Sequence, residues 1–135
     1  MEGLPNVTLL PWQEEDVLPH SLATGDVALV SLEKGMEGLA IPSKSVYAMA
    51  AGSALLCIAS GANELRLWCD RFGCGEVVEP GDVDGLVAAL ERLLDDPALL
   101  ATRRAAARAA AEAAFSRGTE APRLADLVLS AVEAP

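Results

Sequence analysis

Apolar residues in this chain fall into short unbroken runs that alternate with longer stretches where they recur every three or four positions. The runs Asn6–Leu10, Val27–Leu32, Ser53–Ala59 and Gly75–Glu79 are bounded by Gly, Pro or Asp and are too short for helices, which predicts four strands. Val27–Leu32 and Ser53–Ala59 are continuous rather than alternating, as in strands covered on both faces of a parallel sheet. Between the runs the rhythm is helical. Trp12–Ala23 turns Val17, Leu18 and Leu22 inward. A helix begins at about Pro42, with Ser43 as a natural cap, and runs to Ala51 until Gly52 stops it. Asn63 caps the next, which Phe72-Gly73 closes. Pro80-Gly81-Asp82 leads into a helix with Val83, Leu86, Val87, Leu90, Leu93 and Leu94 on one face. Ala98–Phe115 holds ten alanines and has the propensity of a helix, and Pro122–Ala134 follows as the last one after Gly118. Strand and helix thus alternate as βαβ units, so the chain is α/β with a parallel sheet flanked by helices.

A chain of 135 residues suits a single domain, here 1–135 with carboxyl-terminal helices from about 97 to 134. With 52% hydrophobic but only 4% aromatic residues, its core must be built from Leu, Val, Ala and Ile. The formal net charge of −10 repels phosphate backbones and anionic lipid, which argues against nucleic acid as a partner. No apolar run approaches the ~18 residues of a membrane span, and Met1-Glu2-Gly3-Leu4-Pro5 lacks the features of a signal peptide, so a soluble cytoplasmic protein without a transmembrane segment is expected. Cys57, Cys69 and Cys74 are odd in number and form no close Cys-x-x-Cys pair, so buried thiols are expected rather than a disulfide framework or a zinc site. His20 stands without a second histidine or adjacent cysteine. Neither a metal nor any other cofactor is therefore expected. Arg103, Arg104 and Arg108 read as a solvated face in preference to a partner surface.

Candidate chemistry concentrates at the carboxyl ends of the strands, where such sheets bind ligands. The loops on that side are Pro11–Asp16, Glu33–Pro42, Ser60–Asn63 and Glu79–Asp82. Glu33–Pro42 feeds the start of a helix, which directs unpaired N–H groups, a helix dipole and the Lys44 ammonium into the loop. An anion such as a diphosphate suits that place. A plain polar connection between strand and helix is the alternative.

The ordered set Asn6-Val7-Thr8-Leu9-Leu10-Pro11-Trp12, Ser21-Leu22-Ala23-Thr24-Gly25-Asp26-Val27, Glu37-Gly38-Leu39-Ala40-Ile41-Pro42-Ser43-Lys44, Ala50-Ala51-Gly52, Gly73-Cys74-Gly75 and Pro80-Gly81-Asp82 resembles the carboxyl-terminal, donor-binding domain of GT-B glycosyltransferases. Within them it is similar to the retaining group of polysaccharide and lipopolysaccharide assembly. The resemblance implies a Rossmann-like partial domain whose donor is a nucleotide-sugar. Trp12 and Gln13, with Val17, would flank the base. Gly38, Leu39, Ser43 and Lys44 would meet the donor sugar and diphosphate, and Glu37 would orient the sugar hydroxyls as the catalytic residue. The family commonly carries a second glutamate that holds the ribose. Tyr47 stands before Ala48-Met49-Ala50-Ala51-Gly52 in its place and offers a hydroxyl instead.

The resemblance also implies an acceptor-binding amino-terminal domain that these residues do not include, and a full enzyme, of hexosyltransferase type, able to associate peripherally with a membrane. Without the acceptor half the chain alone is expected to be inactive, because nothing positions the second substrate. A non-catalytic assembly module that docks on a separate partner domain is the alternative. A sugar-nucleotide epimerase is disfavoured, since no acid and histidine set is placed for proton abstraction.

Overall fold

A computed structural model of the chain describes residues 4–36 and 38–133. Three of the four apolar runs are strands: β1 (Val27–Ser31), β2 (Ala54–Ile58) and β3 (Gly75–Val78). They form one parallel sheet in the order β1-β2-β3, with Val27 opposite Ala54 and Leu55 opposite Gly75. Six helices accompany them: α1 (Leu18–Ala23), α2 (Ser43–Ala51), α3 (Glu64–Phe72), α4 (Val83–Asp95), α5 (Pro97–Ala114) and α6 (Arg117–Glu133). Helices α2 and α3 are the crossovers between parallel neighbours, a connection too long for a hairpin.

The core lies on both faces of β2. On one face Val30, Leu55, Cys57, Met49, Leu65, Cys69 and Cys74 are buried together with Ala107, Ala110 and Ala111 of α5. The alanines explain why α5 can lie so close, since each presents a single methyl to the layer beneath. On the other face Leu56, Val78 and Ala89 form a smaller cluster, joined by Val27 and Leu86 under α4. The caps match their residues. Gly52 and Gly73 end α2 and α3 in the left-handed region at φ 82° and 65°, where a Cβ would be strained. Asp96 ends α4 and starts α5, accepting from the backbone N–H of Ala98 at 3.1 Å and of Leu99 at 2.9 Å.

Five expectations are corrected. Asn6–Leu10 is not a strand: its residues are exposed and irregular, because β propensity alone does not make a strand that no neighbour pairs with. The helix expected over Trp12–Ala23 is only Leu18–Ala23. Pro19 fits the first turn but could not sit deeper, so the helix starts beside it. Ser43 is not the cap of α2. Pro42 takes the cap position in extended conformation, and among the described residues no side chain caps the helix. Gly118 does not separate the last two helices, since α6 already begins at Arg117 and encloses both Gly118 and Pro122.

The fifth correction concerns the arginines, which are more than a solvated face: Arg104 and Arg108 stay 39% and 57% exposed yet also bind backbone. Arg103 donates from Nη1 to the Gly73 carbonyl oxygen at 3.0 Å, and Arg104 from Nε to that of Gly52 at 2.9 Å. Arg104 also pairs through Nη1 with Asp26 at 2.5 Å, while Arg108 reaches the Ala50 carbonyl oxygen and Glu112. Guanidinium groups thus satisfy the carbonyls at the carboxyl ends of α2 and α3 and oppose the negative ends of their dipoles. We expect Arg104→Ala to lower stability by about 1–2 kcal/mol, the Asp26 pair being discounted for its exposure. Urea denaturation of Arg104→Ala beside Arg104→Met checks it: the methionine variant should recover part of the stem packing and little of the bonding. Among the described residues, no helix is long and apolar enough to cross a membrane.

Candidate functional site

The loop between β1 and α2 leaves the carboxyl end of the sheet and tightens into two successive turns. Met36 N–H donates to Glu33 O at 3.1 Å, and the N–H groups of Leu39 and Ala40 donate to Met36 O at 3.1 and 3.2 Å. Gly38 allows this with φ 72°, and open space surrounds the position a Cβ would occupy. Its glycine therefore serves the backbone turn rather than close packing.

Pro42 is extended, and α2 starts directly after it. The first N–H groups of a helix have no partner within it; in α2 that of Ser45 donates to Pro42 O at 3.0 Å, and among the described residues no side chain caps the others. Ser45 faces inward, donating from Oγ to Pro42 O at 2.5 Å, so the buried side of the first turn is tied down. Ser43 and Lys44 lie on its exposed side. Tyr47, a turn further along, is 61% exposed and Leu39 in the loop is 77% exposed. A core role for the Tyr47 ring is thereby removed. The sequence thus places Gly38, Leu39, Ser43, Lys44 and Tyr47 on one loop and one helix start at the carboxyl rim of the sheet. Glu37, the expected catalytic residue, lies outside the described residues.

Trp12 and Gln13 lie on the segment that leads into α1. Trp12 is 94% exposed, and Gln13 turns its amide back onto the Pro11 carbonyl oxygen at 2.8 Å. Both line a concavity of about 710 Å³ formed wholly by the segment from Leu10 to Ser21, to which neither the loop before α2 nor α2 itself contributes. Helix α1, whose Leu18 and Ser21 line the same concavity, packs against α2.

The other two loops of the rim are joined by residues that local patterning does not reveal. Asn63 is 3% exposed: its Oδ1 accepts from Arg66 N–H at 3.0 Å, and its Nδ2 donates to the carbonyl oxygens of Ser60 and Gly61 at 3.0 and 3.3 Å. Arg66 donates from Nε to Gly61 O at 3.0 Å and pairs with Glu79 Oε1 at 2.8 Å. The loops after β2 and β3 are thereby held in one arrangement. The cap at Asn63 is legible in sequence, whereas nothing nearby marks Arg66 as the partner of Glu79.

The three cysteines are buried, as expected, and lie together in the core. Cys69 is pushed up to about 12, chiefly by its hydrogen bonding with Cys57 and further by burial. Cys74 is pushed up as well, by its hydrogen bond to Cys69 and by burial, and its thiol has the Trp68 carbonyl oxygen at 3.6 Å. Such thiols are held protonated and are poor nucleophiles. Among the described residues no group of three His, Cys, Asp or Glu is placed to hold a metal ion.

No protein-family model matches the chain. Over 93 residues, 68% of this chain, it is 36% identical to WcaI of Escherichia coli strain K12, whose name describes a glycosyl transferase of colanic acid biosynthesis. Over 87 residues, 64% of this chain, it is 41% identical to WbjE of Pseudomonas aeruginosa, whose name describes a glycosyltransferase. The chain spans only 23% and 20% of the lengths of these curated relatives.

Proposed function

From its kinship with glycosyltransferases, we propose that this chain is the donor-binding portion of such an enzyme, one that moves a sugar from a nucleotide-sugar to an acceptor in polysaccharide or glycoconjugate assembly. The observation that carries this is the uncapped, exposed start of α2 at the carboxyl rim of a parallel sheet. Sugar transfer leaves negative charge on the departing nucleoside diphosphate. The first N–H groups of α2, its dipole and the Lys44 ammonium stabilise that charge where it develops. Ser43 adds a hydroxyl donor, Gly38 and Leu39 shape the loop beside the donor sugar, and Tyr47 offers its hydroxyl to the ribose. Glu37 orients the sugar hydroxyls. Trp12 and Gln13 flank the nucleobase.

The acceptor-binding domain is supplied by polypeptide beyond these residues, so the chain alone is expected to bind donor without turnover. The retaining outcome and a hexosyl donor are part of the same proposal. A second reading, a non-catalytic module docking on a partner, is favoured by the outer edge of β1, which no described strand pairs with.

Calorimetric titration with a nucleoside diphosphate tests the first reading. Lys44→Ala is expected to weaken binding about tenfold, the value of one exposed charge-assisted contact, and to lower its salt dependence. Equal affinity for both proteins at low salt would remove Lys44 from the site.

A further inference from the structure

Arg66, Arg92, Arg104 and Arg108 each have a carboxylate partner, but Arg103 has none among the described residues. Its Nη1 donates to the Gly73 carbonyl oxygen at 3.0 Å, which orients the guanidinium. The other edge is bare: Nε is buried without a hydrogen-bond partner, and Nη2 makes no bond to any described residue. Nε and Nη2 together form a two-donor fork that matches an oxyanion side-on. Native structures rarely leave a buried donor unmet, so an acceptor is missing there. Arg103 lines a polar concavity of about 400 Å³, and the outer edge of β3 forms another of its walls. In the β2–β3 ladder Leu55 N–H donates to Cys74 O at 2.9 Å and Ala59 N–H to Val78 O at 3.0 Å. A parallel ladder uses alternate residues, so Gly75 and Val77 turn their N–H groups away from β2, and no described residue accepts from them.

We propose that this concavity binds a small oxyanion, a carboxylate or a phosphate, held by the Nε–Nη2 edge of Arg103 and the outward N–H groups of Gly75 and Val77. Charged residues beside an edge strand also keep other strands away, but that task needs charge alone and not a buried donor without an acceptor. Two carboxylates line the same concavity. Glu76 is paired with Arg92, and exposed Asp70 acts through solvent, so it weakens the site without occupying Arg103. Arg66 has its Nε on Gly61 O and its Nη2 on Glu79, which leaves Arg103 as the cation of this lining that is open to a ligand. With a net charge of −10 on the chain, affinity in the millimolar range is expected. The site lies across β2 from the strand that feeds the loop before α2 and owes nothing to the donor reading.

The test titrates the isotopically labelled chain with sodium phosphate, sodium acetate and, as the control for ionic strength, sodium chloride. The amides of Gly73, Gly75 and Val77 and the Arg103 Nε–H are followed by NMR. Saturable shifts at these groups are expected with phosphate, acetate or both and not with chloride, and the tighter of the two anions tells a phosphate site from a carboxylate site. Arg103→Lys keeps the charge but loses the fork, and should weaken binding at least about tenfold. It also gives up the Gly73 bond, so Asp70→Asn is the second variant. That change touches no donor and should tighten binding about two- to threefold at low salt, because a like charge is gone. Shifts that fail to saturate, shifts reproduced by chloride, an affinity unmoved by Arg103→Lys or one weakened by Asp70→Asn would overturn the proposal. Residues 38–47 are the separate readout of the donor site.

Discussion

Replacing Gly75 with alanine is expected to lower the unfolding free energy by at least about 3 kcal/mol, at the severe end of overpacking effects. Gly75 opens β3 directly opposite Leu55 of the central strand. A Cβ there would run into the Leu55 carbonyl oxygen and lie 2.7 Å from Leu55 Cβ and 2.8 Å from its carbonyl carbon. None of these atoms can give way. Leu55 is fully buried, and its own N–H is bonded to Cys74 O at 2.9 Å. Strand β3 would have to lift off β2, breaking the ladder and loosening the Arg66–Glu79 link between the rim loops. Gly61→Ala is the control. It meets only a backbone at φ 62° with open space around it, so its cost is confined to about 1–2 kcal/mol of left-handed strain. Urea denaturation of the two variants side by side should separate them clearly. Equal losses would contradict the packing of β3 against β2.

Alkaline pH is expected to destabilise the fold steeply from about pH 9. Cys69 and Cys74 are both held above the usual thiol value of 9.0, Cys69 at about 12. A raised pKa means that the folded state keeps a proton which the unfolded chain releases. Below pH 9 both states are protonated and the stabilising effect of the buried neutral thiols is fully present. Between pH 9 and 12 the unfolded state gains by ionising, and stability falls by up to about 1.4 kcal/mol per pH unit for each thiol. Two thiols together give a limiting slope of about 2.7 kcal/mol per unit. Denaturant midpoints measured from pH 8 to 10.5 check this, and Cys69→Ala should reduce the slope although it also costs packing energy. A flat profile for the parent protein would contradict the burial and coupling of these thiols.

Strands β1, β2 and β3 are legible because each is a short apolar run closed by glycine or a polar turn, and local pattern suffices there. The stops at Gly52 and Gly73 and the Asn63 cap are legible for the same reason. The run Asn6–Leu10 carries the same pattern and fails, since a strand needs a neighbour and pairing is not written into five residues. The arginines of α5 mislead because they stand on an alanine-rich helix whose local pattern offers them no acceptor. Their acceptors, Gly73, Gly52 and Ala50, lie 30, 52 and 58 residues away. The cysteine cluster is hidden likewise, because the crossover helix and its flanking strands bring Cys57, Cys69 and Cys74 together only after folding.

At the candidate site the legible part is the strand, the glycine-bearing loop and a helix beginning at Pro42-Ser43. What sequence does not convey is that the cap position goes to Pro42 and leaves the helix start open. Nor does it convey that Trp12 and Gln13 line a concavity with Leu18 and Ser21 of α1, so a nucleobase held there should alter exchange at residues 10–21 as well as at α2.

The central claim is that the start of α2 receives the diphosphate of a nucleotide-sugar. Amide chemical shifts of the isotopically labelled chain, followed while a nucleoside diphosphate is titrated to millimolar concentration, test it most directly. Saturable shifts are expected at Gly38, Leu39, Ser43, Lys44 and Tyr47, weakening as salt is raised. No movement between residues 38 and 47, or shifts confined to another part of the chain, would contradict it.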